Sequence, residues 1–409
     1  PGCARSVKQS NPVRVMKRGG ALSGSIWPAA GLALSLFVPS TAVIQRYMGL
    51  GGVVVYLIAA SLLLALAIAV LYGSVWQRIK EHWVPWLAAL TIILILLFVL
   101  LMFPLANSGR LGGGSDGDEA LMIAATDLLQ GKFPYYQQTY LGNPISPLPG
   151  SLILAAPFVL LGNVAVQNVF WLAAFYWASG RFLRDRRQAL LLLWTTLLLS
   201  PAILQQLATG GDYLANSIYV LLFAMWAIHT RQAAVPTWQK LLSAVLLGAA
   251  LSSRANFLLI LPLVFAAITA RAGWKEALKA TAIIVLSFGL VTLPIYLWHP
   301  AAFSPLHTSN ELGQFRDVLP AAGSVIPFLS ALLALALALR DNGRLTRFLA
   351  HAALVQAFPV FCGILLTSMR VGALNFSFAR FGIFFLFFGA LAAWPGVWRL
   401  AEKAGSFST

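Results

Sequence analysis

Three carboxylates crowd into four positions, Asp116, Asp118 and Glu119, directly behind the glycine run Gly112–Gly114. The glycines permit a tight turn. Beyond them, Leu121, Ala124, Ala125, Leu128 and Leu129 recur at helical spacing, and Gly131 is placed to end the helix. A carboxylate at the start of such a helix has two uses. It can cap the free N–H groups, or, held rigidly within reach of a hydroxyl, it can act as a general base. Both uses are open to Asp116 and Asp118. Residues 118 and 119 lie about 100° apart around a helix, so Glu119 points elsewhere and either orients the base or faces water. Gly117 leaves Asp116 on permissive backbone, which favours Asp118 as the base. Asp127 reads as a solvated helix position.

The segment continues through Lys132-Phe-Pro-Tyr135 to Tyr140, with prolines at 134, 144, 147 and 149, and then through the short apolar piece Ser151–Gly162. Tyr135 is a candidate ligand contact, although tyrosines also suit the headgroup layer of any membrane protein. Further on, Asp212 stands between two apolar runs, and Arg254 interrupts another pair of runs in Leu251-Ser-Ser-Arg-Ala-Asn256. A charge at such a depth is expensive and marks a functional candidate. Arg370 and Arg380 flank a late loop and are candidates for holding a phosphate; the alternative for both is interfacial anchoring. His299 and His307, with Glu311, Arg316 and Asp317, occupy another polar loop that could close over a substrate, with His307 as a candidate substrate contact. The histidines are eight apart, poor spacing for a metal, and no bound metal is expected from them.

These residues must be positioned by helices in a membrane. The 409 residues are 59% hydrophobic and 10% charged, with a mean hydropathy of +0.81, whereas a soluble chain carries about 25% charged residues. The apolar runs approach the roughly 20 residues that cross a bilayer as a helix and lack the alternation of a barrel. The expected fold is all-α: a polytopic transmembrane bundle of about 12 spans. These fall near 26–44, 50–72, 84–105, 163–180, 188–207, 213–230, 240–253, 256–270, 278–298, 323–339, 346–368 and 373–395, with the pieces at 240–270 readable as one tilted helix instead. The division is a basic tail (1–25), N-terminal spans (26–106), an outer loop with short interfacial helices (107–162) and a helical core (163–409). Arg14, Lys17 and Arg18 precede the first run, which reads as an anchored span. With the tail inside, only Arg46, Arg110, Lys132, Arg254, Arg316, Arg370 and Arg380 of the 28 Lys and Arg residues lie outside, the asymmetry of the positive-inside rule. The net charge of +16 sits in clusters between apolar runs, which excludes a nucleic-acid partner. Cys3 and Cys362 make no disulfide framework.

From Gly112 to Tyr219 the order of features resembles the GT-C type glycosyltransferases that use lipid-phosphate sugars, such as protein O-mannosyltransferases and aminoarabinose transferases. The features are Asp118-Glu119, Leu128-Leu-Gln-Gly131, Pro134-Tyr135, Pro144/Pro147/Pro149, Leu161-Gly162, the basic group Arg181 to Arg187, and Asp212. One departure is that about three spans precede the loop here, where one is usual. The resemblance implies transfer of a sugar from a polyprenyl-phosphate donor to a lipid, glycan or protein acceptor. Reaction is implied at the outer face of a membrane, expected to be the bacterial cytoplasmic membrane, with Asp118 as base and inversion at the sugar. Cations near the interface would meet the phosphate, and Arg380 resembles the arginine before the final span. Some of these enzymes use a metal, so a divalent cation stays open. The rival readings are a lipid or sugar transporter or flippase, an O-antigen ligase or polymerase, in which the 299–323 loop would carry the chemistry, and a non-enzymatic scaffold.

Overall fold

A computed structural model describes residues 26–69, 79–108, 115–231, 235–308 and 311–406. The basic tail, Cys3, the glycines 112–114 and Arg110 lie outside the described residues, as does the side chain of His307. The described chain is helical, with a single isolated bridge, Gln138 to Pro144, in place of any strand. Six of its helices are long and apolar enough to cross a membrane, or seven if one bent pair counts as a span. The chain is thus an all-α protein of membrane-spanning character.

The first helix, α1 (Trp27–Leu66), contains one non-helical residue, Gly49, at φ 67° and ψ −170°. Glycine alone adopts that backbone without penalty. The rings of Phe37 and Tyr56 lie 6.0 Å apart, whereas a straight helix would separate them by roughly 28 Å. The helix therefore doubles back at Gly49 into two antiparallel legs, which matches the two apolar runs read at 26–44 and 50–72. The tip is tied to the far end of the chain: Gln45 donates to the Leu374 carbonyl and accepts from the Phe376 N–H.

After α2 (Val84–Asn107) come two short helices, α3 (Gly117–Leu129) and α4 (Pro149–Leu160). Gly131 closes α3 at φ 71°, as its position predicts. The run read as 188–207 is broken: α6 (Arg186–Leu199) follows α5 (Val166–Leu183), and α7 (Pro201–Thr209) leaves α6 at 83°. Pro201 lacks the N–H that would continue α6. Next are α8 (Tyr213–His229) and α9 (Thr237–Leu251). The 240–270 stretch is two helices rather than one, because Arg254 is extended (φ −150°, ψ 136°) between α9 and the 3-10 turn Ala255–Ile260 that opens α10 (Leu261–Ala272). The chain ends with α11 (Trp274–Trp298), the four-residue α12 (Pro305–Thr308), α13 (Ala322–Ala338), α14 (Leu345–Val371) and α15 (Ile383–Ser406).

Three apolar clusters form among the described residues. The largest runs through the helical bundle, with α15 at its centre through Phe387, Phe388 and Trp394. The smallest joins Leu312 and Phe315 to Ala322, Ile326, Leu366 and Phe378. The remaining one binds the α3–α4 segment to α11 and the turn after it: Leu121, Ala124, Tyr135, Ile145 and Leu152 pack with Ile295 and Phe303. This buried face gives α3 and α4 their place, since helices of this length are marginal alone.

Candidate functional site

The α3–α4 segment is fastened to the break after α9. The Leu148 N–H donates to the Ser253 carbonyl at 3.1 Å, and the Gly150 N–H to the Ser252 carbonyl at 2.7 Å and to Ser252 Oγ. A Cβ at Gly150 would stand 2.0 Å from the Ala249 carbonyl oxygen, so only glycine permits this approach.

The clamp brings Ser146 to Arg254. Arg254 Nη1 donates to Ser146 Oγ at 3.0 Å, while Nε and Nη2 both donate to Asp212 Oδ2, at 3.2 and 2.6 Å. Asp212 also accepts from Asn216 Nδ2 at 2.9 Å, and the guanidinium sits 5.0 Å over the Tyr213 ring. The pair is buried, with side-chain exposures of 13% and 2%. Three of the five guanidinium N–H groups are thereby taken, leaving two for a ligand. Arg254 lines a cavity of about 150 Å³ with Ser146, Tyr213, Asn256, Glu311 and Phe381.

Asp118 lies against the Gly210–Asp212 turn. Its Cβ packs against Gly210, and Gly117 faces Asp212. Asn107, at the end of α2, donates to Asp118 Oδ2 at 2.9 Å, and Oδ1 is buried with no hydrogen-bond partner among the described residues. Burial pushes this carboxyl up to about 6, partly offset by the Asn107 hydrogen bond and by backbone N–H groups at the start of α3. A carboxylate titrating there is suited to take a proton near neutral pH. Asp118 is not among the residues lining the cavity, but the Gly210–Asp212 turn it packs against carries Asp212, the partner of the cavity residue Arg254.

The neighbouring acids hold structure. Asp116, the N-cap residue of α3, makes no capping hydrogen bond with its side chain. Asp116 Oδ2 instead accepts from Thr139 Oγ1 and Asn143 Nδ2, at 3.0 and 2.7 Å, so its carboxylate is fixed despite Gly117. Glu119 accepts from the Tyr140 N–H at 2.7 Å, pointing away from Asp118 as the helix angle requires. Asp127 is buried, not solvated, and accepts from Gln137. Tyr135 is buried too, its hydroxyl donating to the Pro147 carbonyl and its ring packed on Phe303, where it braces the loop.

The late cations pair with acids of the 311–317 segment. Arg380 stands 3.8 Å from Glu311 and over the Phe381 ring, and Arg370 pairs with Asp317 at 2.9 Å. Arg380 thus reaches the cavity through Glu311, while Arg370 ties the 311–319 segment to the end of α14. The backbone of His307 lies in α12. Among the described residues no three His, Cys, Asp or Glu side chains gather to hold a metal. Beside Asp212, the Arg254 guanidinium takes the position a cation would need, so these residues do not suit a divalent ion. Asn107, Ser146, Asn256 and Gln356 escaped the sequence reading. The one signal available was a lone amide, Gln356, inside an apolar run. Comparison with protein-family models, with curated proteins and with solved structures finds no match to this chain.

Proposed function

We propose that this protein is a membrane glycosyltransferase of the GT-C type, moving a sugar from a polyprenyl-phosphate donor to an acceptor hydroxyl at the outer face of the bacterial cytoplasmic membrane. The observation that carries this reading is Asp118: a buried carboxylate on a short, packed helix, one oxygen held by Asn107 and the other without a partner among the described residues, with burial pushing the carboxyl up to about 6. In the reaction, the acceptor oxygen attacks the anomeric carbon and its proton passes to Asp118. The bond from that carbon to the phosphate oxygen breaks, polyprenyl phosphate leaves, and the configuration inverts. The two remaining Arg254 N–H groups, with Arg380 beside Glu311, meet the charge on the leaving phosphate. In this reading the legs of α1 each cross the membrane, the bundle makes about 12 crossings, and α3 and α4 lie along the outer surface.

The reading is tested by mass spectrometry of envelope glycans and lipid-linked sugars with and without the gene. Loss of one glycan together with build-up of one sugar-loaded lipid is expected, and unchanged profiles of both would sink it. Topology is checked by single cysteines at 140, 307, 186 and 344 in a background lacking Cys3 and Cys362, the exposed position 140 standing in for the buried Asp118 of the same segment. An impermeant reagent added outside should label the first two alone, and labelling at 186 would invert the orientation. The acid limb gives a further expectation. A base must be unprotonated, so the transfer rate should fall about tenfold per unit of pH below about 6; a rate flat from pH 7 to pH 5 contradicts the assignment.

A further inference from the structure

On the floor of the cavity two amides hold one another. Gln356, 1% exposed in α14, donates from Nε2 to the Asn256 backbone carbonyl at 2.9 Å, and Asn256 Nδ2 donates to Gln356 Oε1 at 2.7 Å. The backbone carbonyl can only accept, so it fixes which way round both amides sit. Asn256 Oδ1 is then left without a partner among the described residues, and Asn256 lines the cavity. A buried amide pair is costly to place among apolar helices, and a mere staple would not need its spare oxygen beside an open space. The same cavity is lined by Ser146, Arg254 and Glu311 and by the rings of Phe378, Phe381 and Phe384. A cavity of roughly 150 Å³ is large enough for one six-membered ring. A lining that combines aromatic rings with hydrogen-bond donors and acceptors suits a monosaccharide, whose C–H face packs on rings and whose hydroxyls need polar partners.

We infer that Asn256, oriented by Gln356, reads a hydroxyl of the donor sugar and sets which neutral monosaccharide is accepted. This role rests on the cavity being the donor site of the proposed transferase. A site built to hydrogen-bond a hydroxyl discriminates strongly against ligands that lack it.

The test is binding of full-length protein in nanodiscs to bare undecaprenyl phosphate and to undecaprenyl phosphates carrying mannose, glucose, galactose or arabinofuranose. Wild type should bind one loaded lipid at least about tenfold more tightly than the bare lipid, and Asn256→Ala should erase that ratio while leaving bare-lipid affinity unchanged. A purely structural role would weaken both lipids together. The near-isosteric Asn256→Leu, which also lacks the acceptor oxygen, serves if the alanine variant does not accumulate. Phe381→Leu, which leaves the amides untouched, should also lower the ratio. A ratio unchanged in the Asn256 variants, or no sugar preference in wild type, overturns the inference while lipid-phosphate binding survives. If wild type binds neither bare nor loaded lipid, the donor reading falls and the inference with it.

Discussion

Asp118→Asn should abolish transfer and leave a folded protein. Loss of a positioned base costs about a hundred- to ten-thousand-fold in rate. The amide keeps an oxygen for Asn107 and places an N–H group where Oδ1 stood, so the packing of α3 against the Gly210 turn is retained. The same substitution has a signature in stability. The folded carboxyl titrates near 6 against an ordinary value of 3.8, so folding disfavours its charged form. That penalty is absent below about pH 4 and complete above about pH 7, where it amounts to about 3 kcal/mol at most. The stability of Asp118→Asn relative to wild type should therefore rise by up to that amount between pH 4 and pH 8, whatever the cost of its unpaired N–H. Denaturation of both proteins across that range measures it. A difference that stays constant with pH would mean that the carboxyl is not held neutral by burial. Asp116→Asn should be milder, since one amide oxygen can still accept from Thr139 or Asn143. If instead Asp116→Asn is dead and Asp118→Asn is active, Asp116 is the base.

The second large effect is expected at Asp212. Removing it by Asp212→Ala leaves the Arg254 guanidinium buried without its counter-charge, and breaking a buried pair in this way typically costs about 3–5 kcal/mol. The variant should accumulate poorly and melt well below wild type. Replacing both partners by apolar residues, Asp212→Leu with Arg254→Met, removes the stranded charge and should restore much of the stability. That double variant should still lack transfer, because nothing then meets the leaving phosphate. Arg254→Lys should keep charge yet lose the forked contact with Asp212 and the approach to Ser146. Melting temperature and transfer, measured side by side, separate the two roles. An Asp212→Ala protein as stable as wild type would show that the fold does not depend on the pair.

Most of the helices were legible because apolar length is a local property: the runs at 84–105, 278–298 and 346–368 correspond to α2, α11 and α14. The 83° break at Ser200–Pro201 was not, since an apolar run does not record its own direction, although Pro201 marked the place. The site was readable where a charge stood against an apolar background, as at Arg254 and Asp212, which the structure joins across 42 positions. It was unreadable where a neutral residue takes its meaning from a distant partner. Asn107 gains its role from Asp118, and Asn256 from Gln356, 100 positions on. The acidic cluster was recognised, but its division of labour was not. Asp116 fastens to Thr139 and Asn143 through a fold of the loop that no spacing rule contains.

The clamp at Gly150 separates what can change from what cannot. Asp118, Ser146, Arg254 and Asp212 hang on a frame sewn together by backbone hydrogen bonds and a glycine that tolerates no side chain. The segment over the cavity, from Glu311 to Asp317, is anchored by Leu312 and Phe315, buried against Ala322, Ile326, Leu366 and Phe378. Its charged residues make ion pairs whose partners are about half exposed, and such pairs contribute little, about 0–1 kcal/mol each. Substitutions at its charged positions therefore cost the fold little, while mutations in the frame cost the fold more. Over evolutionary time a lineage carrying this protein can rewrite the charged positions of the covering segment without disturbing the frame that holds Arg254 and Asp212 together.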